Sequence, residues 1–256
     1  MEVHQIASIL AGIPNMNARQ GAEITRFVRQ RKLGRCLELG FAHGVGTAYL
    51  AHAVAGLPHP RVVTIDLETA RRRNPDIHTV LQMAAVPQHL VDIYFEPTSY
   101  NWRMMRFLEQ GLGGTFDFIY LDGAHTWAVD ALAFYLGSLL LRAGGWILFD
   151  DLRWTLAGSS IADQPWVKEL PRDQRETAQV RKIWELLVKQ HPDFDQFIER
   201  DNWGYARKAT AARRGSGKSP LLLTSLWSAS RRLLGRSNSP GNQLDGSNEI
   251  VERDGE

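Results

Sequence analysis

Four side chains with catalytic or metal-binding chemistry follow two apolar segments of the chain. "FDFIYLDGAHTW" places Asp122 and His125 after one segment, and "GGWILFDD" ends the next in Asp150 and Asp151. Ligands of open α/β sheets bind beyond the carboxyl ends of the strands, so these side chains are expected to converge. Three carboxylates in one cleft repel one another unless a proton or a cation lies between them. Oxygen ligands favour a hard ion such as Mg²⁺, and a histidine of ordinary pKa, about 6.5, can act as a base at neutral pH.

Each of these residues also has a simpler interpretation. Asp-Gly is a common turn dipeptide, and an acid pair after a strand can cap the next helix. A lone histidine after a strand is more often a surface or core residue than a base. Because three carboxylates are expected at neighbouring strand ends, a catalytic or metal-binding role is favoured.

A glycine-rich turn, "CLELGFAHGVGTAYLA", forms the second candidate site. Glu38 ends an apolar run, Gly40 and Gly44 follow it, and the next strand, "RVVTID", ends in Asp66. The glycines let the backbone approach a ligand, and an acid after the second strand typically accepts hydrogen bonds from ribose hydroxyls. The alternatives are a tight connection without a ligand and a Glu38 that only caps the turn.

Two weaker candidates lie near the same ligand. His43 is inside the glycine turn and could contact the carboxylate of a cofactor, or face solvent. Ser99, in "EPTSYN" after the third strand, is expected to pass near an adenine ring.

Short apolar runs alternate with helix-like segments from Arg35 to Lys208, which predicts an α/β domain with a mostly parallel sheet and helices on both faces. Before it, residues 1–34 are predicted to form a helical cover. "ETAQVRKIWELLVKQH" predicts one amphipathic helix, and "FDQFIER" with "WGYARK" a hairpin around Asp201 and Asn202. Residues 209–256 are predicted to be a largely disordered basic tail with a short amphipathic segment.

The motif "LELGFAHGVGT" resembles the E/D-x-G-x-x-x-G-x-G signature of class I S-adenosylmethionine-dependent methyltransferases. The resemblance implies a Rossmann-like sheet of seven strands with an antiparallel last strand, and S-adenosylmethionine as the methyl donor. The D-G-x-H turn with a later acid pair is similar to the metal-dependent sugar O-methyltransferases of the macrocin and mycinamicin type. That similarity implies that Asp122, Asp150 and Asp151 bind Mg²⁺ and that His125 is the base.

Composition limits the partners of the chain. The first 208 residues carry as many Lys and Arg as Asp and Glu, so no nucleic-acid surface is expected. One cysteine, the absence of a 20-residue apolar run and an N-terminus unlike a signal peptide predict a cytoplasmic protein. The tail is a candidate for weak contact with a membrane or a protein, and equally for a solvated appendage, while a homo-oligomer is left open.

The sequence thus predicts O-methylation of a hydroxyl on a sugar-like or other small polar acceptor with the help of Mg²⁺. Two alternatives stay open: a metal-independent small-molecule methyltransferase, and a catalytically silent scaffold that binds the cofactor.

Overall fold

A seven-stranded sheet runs through the protein, in a computed structural model that describes residues 2–210. The strands are β1 (Arg35–Leu39), β2 (Arg61–Leu67), β3 (Val91–Glu96), β4 (Phe116–Leu121), β5 (Leu141–Phe149), β6 (Phe194–Arg200) and β7 (Trp203–Lys208). Their order is β3-β2-β1-β4-β5-β7-β6. The first five strands pair in parallel, and β7 pairs antiparallel with both β5 and β6. The predicted fold class, including the antiparallel last strand, is confirmed.

Nine α-helices of the described residues surround this sheet. They are α1 (Val3–Ile9), α2 (Ala18–Arg31), α3 (Val45–Val54), α4 (Ile77–Met83), α5 (Tyr100–Glu109), α6 (Trp127–Leu140), α7 (Pro165–Lys168), α8 (Arg172–Glu176) and α9 (Gln179–Ile183). Two apolar clusters form the core, one on each face of the sheet. Neighbouring residues of β1 show the alternation, because Cys36 belongs to one cluster and Leu37 to the other.

The N-terminal helices cover one face of the sheet. Asn17 caps α2 by accepting a hydrogen bond from the Gln20 backbone N–H, and α2 ends at Lys32 in the left-handed conformation. Phe27 of α2 stacks on Tyr205 of β7 with ring centroids 4.3 Å apart. The helix therefore closes the sheet over the point where the antiparallel strands join it.

The late amphipathic segment differs from its prediction as one helix. Glu176 ends the short helix α8, α9 begins at Gln179, and the turn Trp184–Val188 is π-helical. Thr177 has an extended backbone, with ψ of 131°, which breaks the helix between α8 and α9. The apolar periodicity of the sequence survives in Val180, Ile183 and Trp184, which are buried.

The tail and its amphipathic segment lie outside the described residues, apart from Ala209 and Thr210. No helix within residues 2–210 has the length and apolar character needed to cross a membrane. The boundaries at 34/35 and 208/209 stay predictions, although β1 begins at Arg35 and β7 ends at Lys208.

Candidate functional site

The glycine turn and the turn after β4 are in direct contact at the carboxyl ends of the central strands. Gly40 has a φ of +90°, a conformation that favours glycine, and its N–H donates to the Ile65 carbonyl oxygen at 2.8 Å. A methyl group on Gly40 would overlap the backbone carbonyl of Asp122. Gly40 therefore lets two strand ends approach closely, so the two predicted sites form one region.

Glu38 lies under the glycine turn as a buried carboxyl group, 1% exposed. Its Oε2 accepts hydrogen bonds from the Thr47 hydroxyl at 2.5 Å and from the Thr64 hydroxyl at 2.7 Å. Its Oε1 has no hydrogen-bond partner among the described residues and points at Gly46 in the first turn of α3. Burial raises the pKa of Glu38 to about 8, although both threonine hydrogen bonds lower it. One buried oxygen of this group is thus free for a ligand.

Asp66 holds the glycine turn from the side of β2. Its Oδ2 accepts hydrogen bonds from the backbone N–H groups of Phe41 at 2.9 Å and Ala42 at 2.7 Å. Ala42 has a φ of +48°, a conformation unusual for alanine, and these hydrogen bonds help to keep it there. The carboxylate keeps lone pairs for a further donor, since each oxygen can accept two hydrogen bonds.

His43 and Ser99 are engaged by their own surroundings. The Nδ1–H of the buried His43 donates to the Pro75 carbonyl oxygen at 2.7 Å. Ser99 caps α5, and its Oγ accepts from the Asn101 backbone N–H at 3.1 Å. Both residues lie next to strand ends of the site, and their contact with a cofactor stays a prediction.

A cluster of one histidine and two aspartates lies beside the glycine turn. One ligand atom from each of Asp122, His125 and Asp151 lies within 4.8 Å of the other two. His125 Nε2 is 3.2 Å from Asp122 Oδ1, and its Nδ1 is 3.7 Å from Asp151 Oδ2. His125 and Asp151 both have a φ of +55°, a conformation uncommon for either residue. The backbone is thus turned at both strand ends to bring these side chains together.

Asp150 points away from this cluster and into the core. Its Oδ1 accepts from the Trp203 indole Nε1–H at 2.6 Å and from the Asp151 backbone N–H at 2.6 Å. Its Oδ2 is 2.7 Å from the Tyr120 hydroxyl, which is also 2.9 Å from Asp122 Oδ2. A phenol has one hydrogen to donate, so one of these two carboxyl groups must carry a proton if both contacts are hydrogen bonds.

Burial and mutual repulsion set the protonation of the acids. Burial, with the charges of Asp122 and Asp151, raises the pKa of Asp150 to about 7. Burial also raises the pKa of Asp122, against the hydrogen bond and charge of His125. A proton shared between Asp122 and Asp150 through Tyr120 agrees with both shifts.

The pKa of His125 differs from the ordinary value expected from the sequence. Burial lowers it, but the hydrogen bond and charge of Asp122 and the charges of Asp151 and Asp130 raise it, with a net value of about 9. The imidazole of His125 is therefore protonated at neutral pH when these carboxylates are its only charged neighbours.

Three further residues shape the site and were not predicted from the sequence as site residues. Asn202 donates from Nδ2 to Asp151 Oδ1 at 2.7 Å, while Trp203 and Tyr120 hold Asp150. Tyr120 could have been found, because it precedes Asp122 by two residues and alternate residues of a strand face the same side. The hairpin residues carry no such signal, since only the antiparallel pairing of β5 with β7 brings them to the acid pair.

The segment before α2 closes the cleft at the glycine turn. Asn15 and Met16 line a space of about 10 Å³ together with Glu38, Gly40 and Asp122. This volume holds about one water molecule. A larger ligand therefore requires this segment to move.

Comparison with known proteins agrees with this site. Residues 37–152, which include the glycine turn and the acid pair, match the family model described as a methyltransferase domain. The match identifies a methyltransferase domain. The match covers less than half of the chain, and the seven-stranded sheet agrees with the fold expected of class I S-adenosylmethionine-dependent methyltransferases. No curated protein matches the chain.

Several solved structures share the fold of this methyltransferase domain. The O-methyltransferase TomG of Streptomyces achromogenes, solved with S-adenosylmethionine and involved in tomaymycin synthesis, is 22% identical, with a TM-score of 0.59 over 81% of this chain and 89% of that one. An O-methyltransferase of Bacillus cereus in complex with S-adenosylhomocysteine is 18% identical, with a TM-score of 0.59 over 81% and 92%. The S-adenosylhomocysteine-bound methyltransferase PaMTH1 of Podospora anserina is 19% identical, with a TM-score of 0.56 over 81% and 87%. At these identities the likeness shows the shared fold.

Proposed function

We propose that the protein transfers the methyl group of S-adenosylmethionine to a hydroxyl oxygen of a small polar acceptor, with a divalent cation such as Mg²⁺. The contact of Gly40 with the backbone of Asp122 carries the proposal, because it joins a methyl-donor cleft to a cation-binding cluster. The O-methyltransferases that share the fold support the choice of an oxygen acceptor.

The residues of the glycine turn fit the methyl donor. Glu38 offers a buried oxygen without a partner, and the carboxyl would release its proton to accept a hydrogen bond from the ammonium of the amino-acid end. The Asp66 carboxylate has acceptor capacity for ribose hydroxyls, while His43 and Ser99 stay candidates for contact with the same ligand. Binding is expected to displace the segment around Asn15 and Met16, since the present space is so small.

The cluster beyond β4 and β5 fits a cation. Two carboxylates with an adjacent imidazole suit Mg²⁺ or Mn²⁺, which prefer carboxylate and water oxygens, and imidazole can join the ligands of Mn²⁺. Asp122 and Asp151 are the ligands that the geometry favours, with His125 at hydrogen-bond distance from Asp122. Asp150, the third ligand implied by the resemblance, is in this arrangement the residue that orients Asp151 through its backbone N–H.

S-Adenosylmethionine, when bound, supplies a methyl group activated by its sulfonium, and the cation lowers the pKa of an acceptor hydroxyl. The task of the chain is then positioning, which can contribute several kcal/mol to a bimolecular displacement. His125 takes the acceptor proton once the charges of Asp122 and Asp151 are neutralised. Trp154, whose ring lies 5.1 Å from the His125 ring, shields the imidazole from water.

The surroundings of the cluster favour a polar acceptor, such as a sugar-like molecule. A cavity of about 350 Å³ between the start of α2 and the turn after β6 is lined by Arg19, Glu23, Arg200 and Asn202, among others. Asn202, which lines this cavity, also donates a hydrogen bond to Asp151 of the cluster. This volume is within the range of small-ligand sites. A cytoplasmic location, self-association and a partner for the tail stay predictions.

The test is a screen of hydroxylated acceptors with labelled S-adenosylmethionine, run with Mg²⁺ and with EDTA, after calorimetry with S-adenosylhomocysteine. Binding of S-adenosylhomocysteine and Mg²⁺-dependent methyl transfer are expected. Turnover that persists in EDTA would instead favour a metal-independent methyltransferase. Binding without turnover of any acceptor would favour the silent scaffold.

Two isosteric variants separate the ligand sets. We expect Asp151→Asn to weaken Mn²⁺ binding about 10-fold or more. Asparagine tolerates the left-handed backbone at this position, so the fold is retained. Asp150→Asn serves as the matched control, because an amide can still accept from Trp203 and can donate to Tyr120. An equal loss in both variants would show that Asp150 is a ligand and would refute a ligand set limited to Asp122 and Asp151.

A further inference from the structure

A buried polar pair lies beneath the turn that carries Asp122 and His125, here called the Asp122–His125 turn. Tyr100, the first residue of α5, is 5% exposed, and Asp130 of α6 is fully buried. The Tyr100 hydroxyl donates a hydrogen bond to Asp130 Oδ1. Its oxygen accepts the backbone N–H of Ala124, at 3.2 Å. One phenol thus joins two helices to the middle of the turn.

The aromatic ring of Tyr100 also packs against the backbone of this turn. A methyl group on Gly123 would overlap the Tyr100 ring, so the ring and the turn are in close contact. The turn contains His125 in a left-handed conformation, which is kept only when the surroundings enforce it. The ring and the hydroxyl of Tyr100 together hold the turn in this conformation.

Asp130 is a costly residue to bury at this place. Its Oδ2 has no hydrogen-bond partner among the described residues. Burial raises the pKa of Asp130 to about 6, while the Tyr100 hydrogen bond and the charge and backbone N–H of His125 lower it. A buried carboxyl with an unsatisfied oxygen destabilises a fold, and an apolar pair would pack in the same space without that cost. Its hydrogen bond with Tyr100 and its interaction with the backbone N–H of His125 both connect this carboxyl to the Asp122–His125 turn.

We propose that Tyr100 and Asp130 are positioning residues that hold the Asp122–His125 turn in the geometry in which it binds a cation together with Asp151. The inference rests on the proposed function, because the cation is what the turn is positioned for. Neither side chain contacts the acceptor or the methyl donor in this scheme.

The test compares Tyr100→Phe with the wild type and with Tyr49→Phe. Tyr100→Phe keeps the ring and removes the hydroxyl, so the fold is retained while the Ala124 N–H loses its acceptor. Tyr49, on α3, is an equally buried tyrosine whose ring packs on Gly21 of α2, which makes it a matched control. Hydrogen exchange of residues 123–126, Mn²⁺ affinity and S-adenosylhomocysteine affinity are measured for these three proteins, and hydrogen exchange also for Asp130→Asn.

In Tyr100→Phe, exchange in the Asp122–His125 turn is expected to rise at least about fivefold, and Mn²⁺ affinity to fall about 10-fold. S-Adenosylhomocysteine affinity should change less than twofold, and Tyr49→Phe should match the wild type. Asp130→Asn, which keeps an oxygen for the Tyr100 hydrogen bond, should leave the exchange of the turn close to that of the wild type.

Unchanged exchange and unchanged Mn²⁺ affinity in Tyr100→Phe would overturn the inference. So would equal losses of Mn²⁺ and S-adenosylhomocysteine affinity, which indicate a general structural effect. If the wild type itself binds no Mn²⁺, the metal part of the proposed function fails. The exchange comparison then decides by itself whether this pair holds the turn.

Discussion

The buried carboxyl of Glu38 makes the stability of the protein depend on pH in a way that one substitution can remove. Glu38 is 1% exposed, and burial raises its pKa from 4.5 to about 8. Between these two values the folded protein keeps a proton on Glu38 that the unfolded chain releases. The free energy of unfolding must therefore fall as the pH rises through this window.

The size of the effect follows from the width of the window. Each pH unit between the unfolded and the folded pKa contributes about 1.4 kcal/mol. Two units, from pH 5.5 to pH 7.5, thus lower the free energy of unfolding of the wild type by about 3 kcal/mol through this group alone. Glu38→Gln does not titrate and keeps an oxygen for the hydroxyls of Thr47 and Thr64, so it lacks this contribution.

The assay is urea unfolding of the wild type and Glu38→Gln at pH 5.5, 6.5 and 7.5. We expect the difference in free energy of unfolding to move in favour of Glu38→Gln by about 3 kcal/mol across this range. Acids that do not interact with Glu38 cancel in that difference. The control is Glu109→Gln on α5, where the same substitution removes an exposed carboxyl instead of a buried one. A constant difference for Glu38→Gln as well would refute a folded state in which Glu38 keeps its proton at neutral pH.

Two further predictions concern the glycine turn. Gly40→Ala should lower the free energy of unfolding by about 1–3 kcal/mol, because alanine is strained at a φ of +90° and its methyl group meets a backbone carbonyl. A melting temperature within error of that of the wild type would contradict this prediction. Asp66→Ala should weaken S-adenosylhomocysteine binding about 10-fold, or about 1.4 kcal/mol, through lost hydrogen bonds to Phe41 and Ala42 and to the ligand. The control in calorimetry is Asp92→Ala on β3, which breaks only an exposed ion pair with Arg61. Equal S-adenosylhomocysteine affinities in the two variants would contradict the role of Asp66.

Hydrophobic patterning was enough to predict the sheet. The five parallel strands lie within the apolar runs of the sequence or extend them by a few residues, because parallel strands buried on both faces read as nearly continuous apolar segments. The hairpin of β6 and β7 was found from Asp201 and Asn202, whose types favour a turn. The break at Thr177 was missed, since the apolar periodicity of the segment continues across it.

The sequence predicted that the three acids follow the strand ends, but not the direction in which each one points. Asp122, Asp150 and Asp151 were all expected at strand ends, and all three lie there. Adjacent residues at a strand end face opposite ways, so Asp150 and Asp151 cannot both point into the cleft unless the backbone turns. Which of the two acids points into the core depends on Trp203, which is distant in sequence from the acid pair, and on Tyr120, which belongs to another strand.

The orientation of Asp150 bears on how a cation would be bound under the proposed function. Tyr120 links Asp150 to Asp122, so a proton held between these two acids reduces the charge that Asp122 offers to a cation. His125, protonated among the same carboxylates, reduces it further. A divalent cation that displaces both protons would leave a carboxylate pair as its ligands and a neutral imidazole beside them. Under the proposed function the chain would hold a neutral base only with the cation in place, which would tie proton removal from the acceptor to the presence of the metal.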